Sequence, residues 1–274
     1  MMEISIQELK DNLEKYIGMV GQQNIIVTDN GKRVAKIVSA KTDKVAALQS
    51  LLADVSFETG LDVSSLVNAE SRLSPTLSVV ANLVSVHSGK KKGYADRMKR
   101  HLEIIFDALL TNDSYKKEVG SWDKTVFLLA AQLHDVGETA VPENFLKKSG
   151  ELTEDEFKDI KTHTDSGIKI VQQVKENLEV GVFLNHAEVL AGSHHEKWDG
   201  TGYPLGLKGE AIPLQGRIMA IVDVYDALTT DRPHREKKTH KEAVEIIKKG
   251  SGTHFDPGLV EAFLATESEF DGVG

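Results

Sequence analysis

The sequence predicts a mainly α-helical protein preceded by a small α/β module. In residues 1–42 short β-branched segments flank a helical one, whereas from Asp43 onward strand patterns nearly vanish and apolar residues recur at helical spacing. The 274 residues suffice for a sizeable core, and the absence of cysteine excludes disulfides and thiolate metal ligands. We therefore expect a module at 1–42, a helical connector at 43–72 and an all-helical bundle at 73–274.

The first module predicts a strand, a helix and a hairpin in that order. Residues 3–6 predict the strand, and residues 7–20 a helix with four apolar residues on one face, Leu9, Leu13, Ile17 and Val20. Residues 24–28 and 33–38 are β-branched strands on either side of Asn30-Gly31, a dipeptide typical of two-residue hairpin turns.

The remaining chain predicts helices joined by glycine-containing loops. Apolar residues 45, 48, 51, 52 and 55 indicate a connecting helix. The segments with helical length and an apolar stripe are 73–86, 98–110, 122–133, 154–174, 180–191, 214–228 and 240–249. Loops are expected at 200–209 and 253–258, where glycine and proline concentrate.

Charge and hydropathy narrow the function classes. The formal net charge of −9 argues against general nucleic-acid affinity, although a local basic groove can still accept a phosphate-bearing small molecule. No run approaches the roughly 18 apolar residues of a membrane span, and the amino terminus lacks a charged and then apolar leader. We expect a cytoplasmic protein without a membrane segment.

Histidines and carboxylates cluster in motifs that suit a metal. The stretch SHHEKWDGTGYP, residues 193–204, holds two adjacent histidines and a tight turn, and an apolar helix ends in the pair His134-Asp135. Alone, that pair is equally a polar helix end before Gly137. With His87, His163 and Asp223 also present, the pattern predicts a metal-dependent hydrolase, because imidazole and carboxylate ligands accept Fe, Mn, Ni or Zn.

From about residue 87 to residue 263 the chain resembles the HD-GYP family. The resemblance is carried by HDVG, VPENFLKKSGELT, HHEKWDGTGYP, RIMAIVDVYDALTTDRPHR and HFDP. That family is an all-helical branch of the HD phosphohydrolases that hydrolyses cyclic dinucleotides, chiefly cyclic di-GMP, at a centre of two or three metal ions. The resemblance implies seven metal ligands, with Asp135 bridging: His87, His134, Asp135, His163, His194, His195 and Asp223.

The resemblance also implies how substrate is bound and cleaved. A metal-bridging hydroxide would attack phosphorus in line, so no protein nucleophile is needed. Arg232 and Arg235 would contact phosphate, to which guanidinium geometry is suited, although solvated surface charge is the alternative. Tyr203 would shape the pocket entrance or an interaction surface without binding metal, and His234 would line the substrate pocket.

Two departures from the family pattern bear on activity. Where the family carries a phosphate-contacting lysine, this chain has Glu138, which removes attraction and adds repulsion, or acts instead as a metal ligand or proton donor. Where three-metal members carry a glutamate, this chain has Leu83, so two ions are expected, Fe or Mn first, with Ni or Zn acceptable. The run Lys90-Lys91-Lys92 predicts either a basic rim to the site or plain solvation.

The other histidines fall outside the ligand pattern. Of the 10 histidines, His101, His186, His240 and His254 match no ligand position, and neither does His234. His101 is expected on a helix surface.

About 40 residues at the N-terminus resemble the Phd/YefM antitoxin module. The match lies in the helix with ELKDNL and in the hairpin IVTDNGKRVA. The resemblance implies dimerisation first and DNA contact second. Residues 1–45 hold seven Lys and Arg against six Asp and Glu, a net of +1, which argues against DNA. We expect a module for homodimerisation or for docking a partner.

The leading interpretation is hydrolysis of a cyclic dinucleotide, with cyclic di-GMP the first choice. Three alternatives remain at this stage. In the first, the substrate is a different cyclic dinucleotide or a linear one. In the second, the chain is a catalytically weak or inactive effector that binds nucleotide and signals through protein partners, as Glu138 would allow. In the third, the first module is a DNA-binding regulator gated by the second.

Overall fold

The structure is a computed structural model that describes residues 2–11, 25–29, 32–37, 80–90, 93–177, 181–231 and 236–273. It is mainly helical and carries a three-stranded N-terminal sheet, so the predicted fold class is confirmed. The predicted connector at 43–72 and the Asn30-Gly31 turn lie outside the described residues.

The N-terminal module contains strand β1 (Met2–Ser5), helix α1 (Ile6–Asp11), and strands β2 (Ile25–Asp29) and β3 (Lys32–Ile37). Strand β1 pairs parallel with β2, which pairs antiparallel with β3, so β2 is central. Each predicted strand lies within one residue of the observed one. The predicted helix continued to residue 20, and that continuation lies outside the described residues.

The described residues from 80 onward form helices joined by loops. The helices are α2 (80–87), α3 (Tyr94–Thr111), α4 (Lys116–Val119), α5 (Lys124–Ala131), α6 (Glu143–Leu146), α7 (Glu154–Asn177), α8 (Gly181–Ser193), α9 (Leu214–Thr229), α10 (His240–Lys249) and α11 (Pro257–Asp271). Short 3₁₀ turns lie at Val136–Ala140 and Gly209–Ala211. Among the described helices, none has the length and apolar composition needed to cross a membrane.

Helix α10 begins and ends where the sequence predicts, and its start is marked by a local signal. The Thr239 hydroxyl accepts from the Glu242 backbone while the Glu242 carboxylate accepts from the Thr239 backbone, a capping box. Helix α11 was not predicted, although its start carries a comparable signal. Asp256 caps the helix by accepting from the Gly258 N–H, and Pro257 occupies the first turn.

Helix packing brings the ends of several elements to one place. Helix α3 packs against α9 and α11, and α8 packs against α5, α7 and α9. The 3₁₀ turn Val136–Ala140 packs along α7. These contacts bury Phe106 on α3, Ile221 on α9 and Phe263 on α11 almost completely, and they hold the end of α5, the middle of α7, the end of α8 and the middle of α9 around a common point.

Candidate metal centre

Four segments supply the six central side chains. His134 and Asp135 lie in the turn after α5, and His163 lies within α7. His194 and His195 directly follow α8, and Asp223 projects from α9. The tertiary packing of these segments therefore brings together six of the seven ligands predicted from sequence.

The six residues form two ligand groups that share one carboxylate. Asp135, His163, His194 and His195 make the first group, and His134, Asp135 and Asp223 make the second; within each, the ligand atoms lie within 4.8 Å of one another. No sulfur ligand is present, so the donors are imidazole and carboxylate, a set that fits a first-row divalent metal. The cluster can therefore hold metal.

The two carboxylate oxygens of Asp135 face different partners. Oδ1 lies 3.3 Å from His194 Nε2 and 3.8 Å from His163 Nε2, whereas Oδ2 lies 2.7 Å from His134 Nε2. An oxygen directed to each group is the arrangement that a bridging carboxylate requires.

Backbone carbonyls orient three of the imidazoles. Nδ1 of His134 lies 2.7 Å from the Ala131 oxygen, that of His163 lies 2.7 Å from the Ile160 oxygen, and that of His194 lies 2.8 Å from the Leu190 oxygen. A carbonyl only accepts, so each Nδ1 carries the proton and Nε2 faces Asp135. The local helical turn thus selects the tautomer and direction that suit metal binding.

Burial and charge set the protonation of the cluster. Burial would raise the pKa of Asp135, but His134 and Lys90 hold that pKa well below its usual range. Burial lowers the pKa of His163, and with the neighbouring imidazoles it lowers the pKa of His195 strongly. Burial would also lower the pKa of His134, yet Asp135 raises it. An ionised Asp135 beside the neutral imidazoles of His163 and His195 is a form that binds a cation.

Gly137 allows the 3₁₀ turn to approach α7 closely. A methyl group at this position would overlap the carbonyl oxygen of His163 and the backbone of Gly167. The glycine of the HDVG motif is therefore required by the contact that places His134 and Asp135 opposite His163, and not only by a helix ending.

His87 is the predicted ligand that the structure brings into neither group. It ends α2, and its Nε2 lies 3.0 Å from the carbonyl oxygen of Val141. Binding metal through Nε2 would require the imidazole to give up this hydrogen bond, so its role as a ligand stays a prediction.

Tyr94 belongs to the site and was not predicted from sequence. Its hydroxyl lies 3.0 Å from His134 Nε2 and donates to Asp223 Oδ1 at 3.2 Å. Burial and the nearby carboxylates, first Asp223 and then Asp135, raise the pKa of Tyr94, which keeps it a proton donor. Its place, seven residues after His87 in HSGKKKGY, was the available signal.

A cavity of about 650 Å³ opens onto the cluster. Its lining includes Asp135, His163, His195 and Asp223, and Tyr203 closes one side by stacking on His195, with ring centroids 4.8 Å apart. The volume lies within the roughly 300–1,000 Å³ of small-molecule sites. The other predicted substrate contacts, Arg232, His234 and Arg235, lie outside the described residues.

Glu196 shapes the loop that carries Tyr203 and was also missed. Its buried carboxylate accepts from the backbone N–H groups of Leu205 at 2.7 Å and Leu207 at 3.0 Å. In the same loop, the Tyr203-Pro204 peptide bond is cis. Glu196 thus fixes the loop just after Tyr203, which lines the cavity.

Glu138 lines the cavity, where its sequence position suggested an added repulsive charge. Its Oε2 accepts from the Lys90 ammonium at 3.0 Å and from the Ser88 hydroxyl. The repulsive charge expected there is therefore paired, and Glu138 belongs to neither ligand group. Leu83, the second departure, packs against the hydrophobic core.

The histidines outside the ligand pattern have other surroundings. The prediction that His101 lies on a helix surface was wrong, since it is buried and stacked on Phe270 at 4.8 Å. His186 packs edge-on against Trp122, His240 contacts Glu267, and His254 stacks on Phe255. Those four histidines belong to neither ligand group among the described residues.

Comparison with known families agrees with this geometry. The sequence model described as HD domain matches residues 78–259, a span that contains the whole cluster. The chain belongs to the HD domain family. A second model, described as antitoxin Phd_YefM of type II toxin-antitoxin systems, matches residues 1–56. Both predicted resemblances are thereby confirmed.

Three relatives in Vibrio cholerae illustrate what this HD domain chain is similar to. A cyclic di-GMP phosphodiesterase is 36% identical over 273 residues, 97% of this chain and 52% of its own length. A probable cyclic di-GMP phosphodiesterase is 39% identical over 70% of this chain and 44% of its own length. A 3'3'-cGAMP-specific phosphodiesterase is 40% identical over 52% of this chain and 26% of its own length. The chain thus spans about half the length of the first two.

Proposed function

We propose that this chain is a metal-dependent phosphodiesterase that hydrolyses a cyclic dinucleotide, with cyclic di-GMP as the substrate. The observation that carries the proposal is the pair of ligand groups that share Asp135 at the wall of a cavity large enough for a nucleotide. The names of the relatives support the substrate class. Cyclic di-GMP is preferred over 3'3'-cGAMP because the relatives that cover more of this chain carry that name.

Two divalent ions, Fe or Mn first and Ni or Zn second, are the proposed cofactors. His163, His194 and His195 would hold one ion, His134 and Asp223 the other, and Asp135 both. His87 is proposed as a further ligand. When bound, the ions would supply an activated hydroxide nucleophile and neutralise charge on the phosphate.

The protein residues position and enclose the reaction. The Tyr94 hydroxyl orients Asp223, and the backbone carbonyls orient the imidazoles, so little rearrangement is needed during the reaction. Tyr203 walls off one side of the cavity. Arg232 and Arg235 are proposed to contact phosphate, with His234 beside them. A protonated Glu138 as donor to the leaving oxygen stays a prediction, and its observed contacts show it accepting hydrogen bonds.

Turnover under anaerobic conditions tests the proposal. Protein loaded with Fe or Mn is incubated with cyclic di-GMP, and chromatography separates the linear dinucleotide from GMP. We expect product from the wild type and a loss of at least about a hundredfold in His134→Ala, because an imidazole ligand is removed. Lys116→Ala, outside the cavity lining, should keep wild-type turnover.

Absence of product from protein that carries two ions per chain would contradict the proposal. The same protein would then be assayed with 3'3'-cGAMP and with linear dinucleotides. Turnover of one of these would reassign the substrate, whereas tight binding without turnover would support the effector interpretation.

For the N-terminal module we propose homodimerisation, or docking of a protein partner where the chain is monomeric. The match of residues 1–56 to the antitoxin model supports a pairing module. Light scattering of the full chain should give twice the mass of 30.1 kDa. A monomer would leave partner docking, and a mobility shift with DNA at low salt would overturn our expectation of no DNA binding.

A further inference from the structure

Lys90 reaches the candidate metal centre from the turn that directly follows α2. Its backbone N–H donates to the Ser85 oxygen at 2.8 Å, and Ser88 N–H donates to the Val84 oxygen at 2.9 Å. The side chain is 15% exposed, so it is directed inward and not into solvent.

The Lys90 ammonium lies among acidic groups at the wall of the cavity. It donates to Asp135 Oδ2 and, at 3.0 Å, to Glu138 Oε2, and it lies 4.7 Å from the centroid of the Tyr94 ring. Two carboxylates and the face of an aromatic ring therefore surround the ammonium.

The other described cations that line the cavity pair with carboxylates outside both ligand groups. Arg97 is engaged by Asp226 at 2.8 Å, Lys147 by Glu143 at 2.6 Å, and Lys148 by Glu156. Of these four described cations, Lys90 is the one whose charged group contacts Asp135.

We propose that Lys90 binds the phosphate of the substrate at the metal centre and that Glu138 is the positioning residue that holds it there. This inference rests on the proposed function. An anion that enters the cavity toward Asp135 meets the ammonium at the same point. Cations held by Asp135 would repel the ammonium from Oδ2, whereas Glu138, which is outside both ligand groups, would still retain it beside the site. Ser88 secures Glu138 from the same turn.

A charge-exchange experiment in the full-length, metal-loaded protein tests the pair. The variants are Lys90→Ala, Glu138→Gln, their double variant, Glu138→Lys alone, and the exchange Lys90→Glu with Glu138→Lys. Lys116→Ala, which removes an equal charge on the exposed helix α4, is the matched control. The measurements are metal content, KM and kcat for cyclic di-GMP, and Kd for its bis-phosphorothioate analogue and for inorganic phosphate.

We expect Lys90→Ala to raise KM and both Kd values about tenfold or more, as loss of a charge-assisted hydrogen bond does, with metal content unchanged. Glu138→Gln should raise them several-fold in the wild type but add nothing in Lys90→Ala, because Glu138 acts through Lys90. Glu138→Lys alone should weaken metal loading by placing two ammonium groups together, and the exchanged pair should recover binding.

Several outcomes would overturn the inference. An unchanged Kd in Lys90→Ala would show that Lys90 does not bind phosphate, and additive effects would show that Glu138 does not act through Lys90. Loss of metal in Lys90→Ala would show that Lys90 supports the ligand groups instead. If the wild type hydrolyses cyclic di-GMP and Lys90→Ala does so with the same KM and kcat, this inference fails and the proposed function stands. Phosphate binding that depends on Lys90 without any turnover of cyclic dinucleotides would support the inference and defeat the proposed function.

Discussion

At the scale of single residues, His101 shows how burial shifts the pKa of a side chain. It lies 2% exposed in α3, stacked on Phe270 and edge-on to Tyr225. Burial lowers its pKa from 6.5 to about 4. A buried imidazole must stay neutral, so protonation opposes the folded state.

We expect His101 to make the protein less stable in mild acid. Because its pKa is lower in the folded state, its contribution is fully present above pH 6.5 and is lost as the pH falls toward 4. This lowering of the pKa corresponds to a change of at most about 3 kcal/mol in the free energy of unfolding. In His101→Phe, which preserves the aromatic stacking, the free energy of unfolding should fall less between pH 6.5 and 4. Urea unfolding of both proteins across this range measures the difference, and parallel curves would contradict it.

At the scale of elements, the contact between the 3₁₀ turn Val136–Ala140 and α7 decides whether the ligand groups form. Gly137 leaves no room for a side chain against His163 and Gly167. The obstacle is backbone on both sides, which cannot rotate away as a side chain can. The close approach of these two elements therefore depends on glycine.

We expect Gly137→Ala to lower the free energy of unfolding by more than about 2 kcal/mol and to reduce the metal content, since the turn must separate from α7. Gly150→Ala is the matched control, because a methyl group at Gly150 would meet nothing within 4 Å. It should stay within about 0.5 kcal/mol of the wild type. Equal effects of the two substitutions in denaturant unfolding would rule out the packing explanation.

At the scale of the whole molecule, metal binding should stabilise the fold. The ligands come from α7, α9 and the turns after α5 and α8, so ions held by Asp135 would link elements far apart in sequence. A metal ion at a free concentration of a hundred times its Kd adds about 2.7 kcal/mol to the free energy of unfolding.

We therefore expect Mn²⁺ to raise the Tm by roughly 5–10 °C and a chelator to reverse the change. In Asp135→Asn the shift should be largely lost, because both ligand groups share that carboxylate. Calorimetry of the two proteins with and without metal makes the comparison, and a full shift in the variant would show that the ions bind elsewhere.

Predictions from sequence succeeded where the signal was local. The bounds of α10 and most of α3, α7 and α9 follow from helical length and apolar spacing. Helix α11 was missed despite its Asp256 and Pro257 start. His101 was misplaced although it shares a helix face with Met98 and Ile105, both buried.

The sequence by itself determined the mainly helical fold class, the family and the residues with metal-binding chemistry, because periodicity and motifs are local properties of the chain. Only the tertiary structure decided which of those residues meet. Lys90 and Asp135 are 45 positions apart, and Tyr94 and Asp223 are 129 apart. Whether residues so far apart in sequence come into contact depends on how α3, α5, α7, α8 and α9 pack. The pairing of Glu138 with Lys90 and the position of His87 beside Val141 therefore could not be predicted from sequence spacing alone.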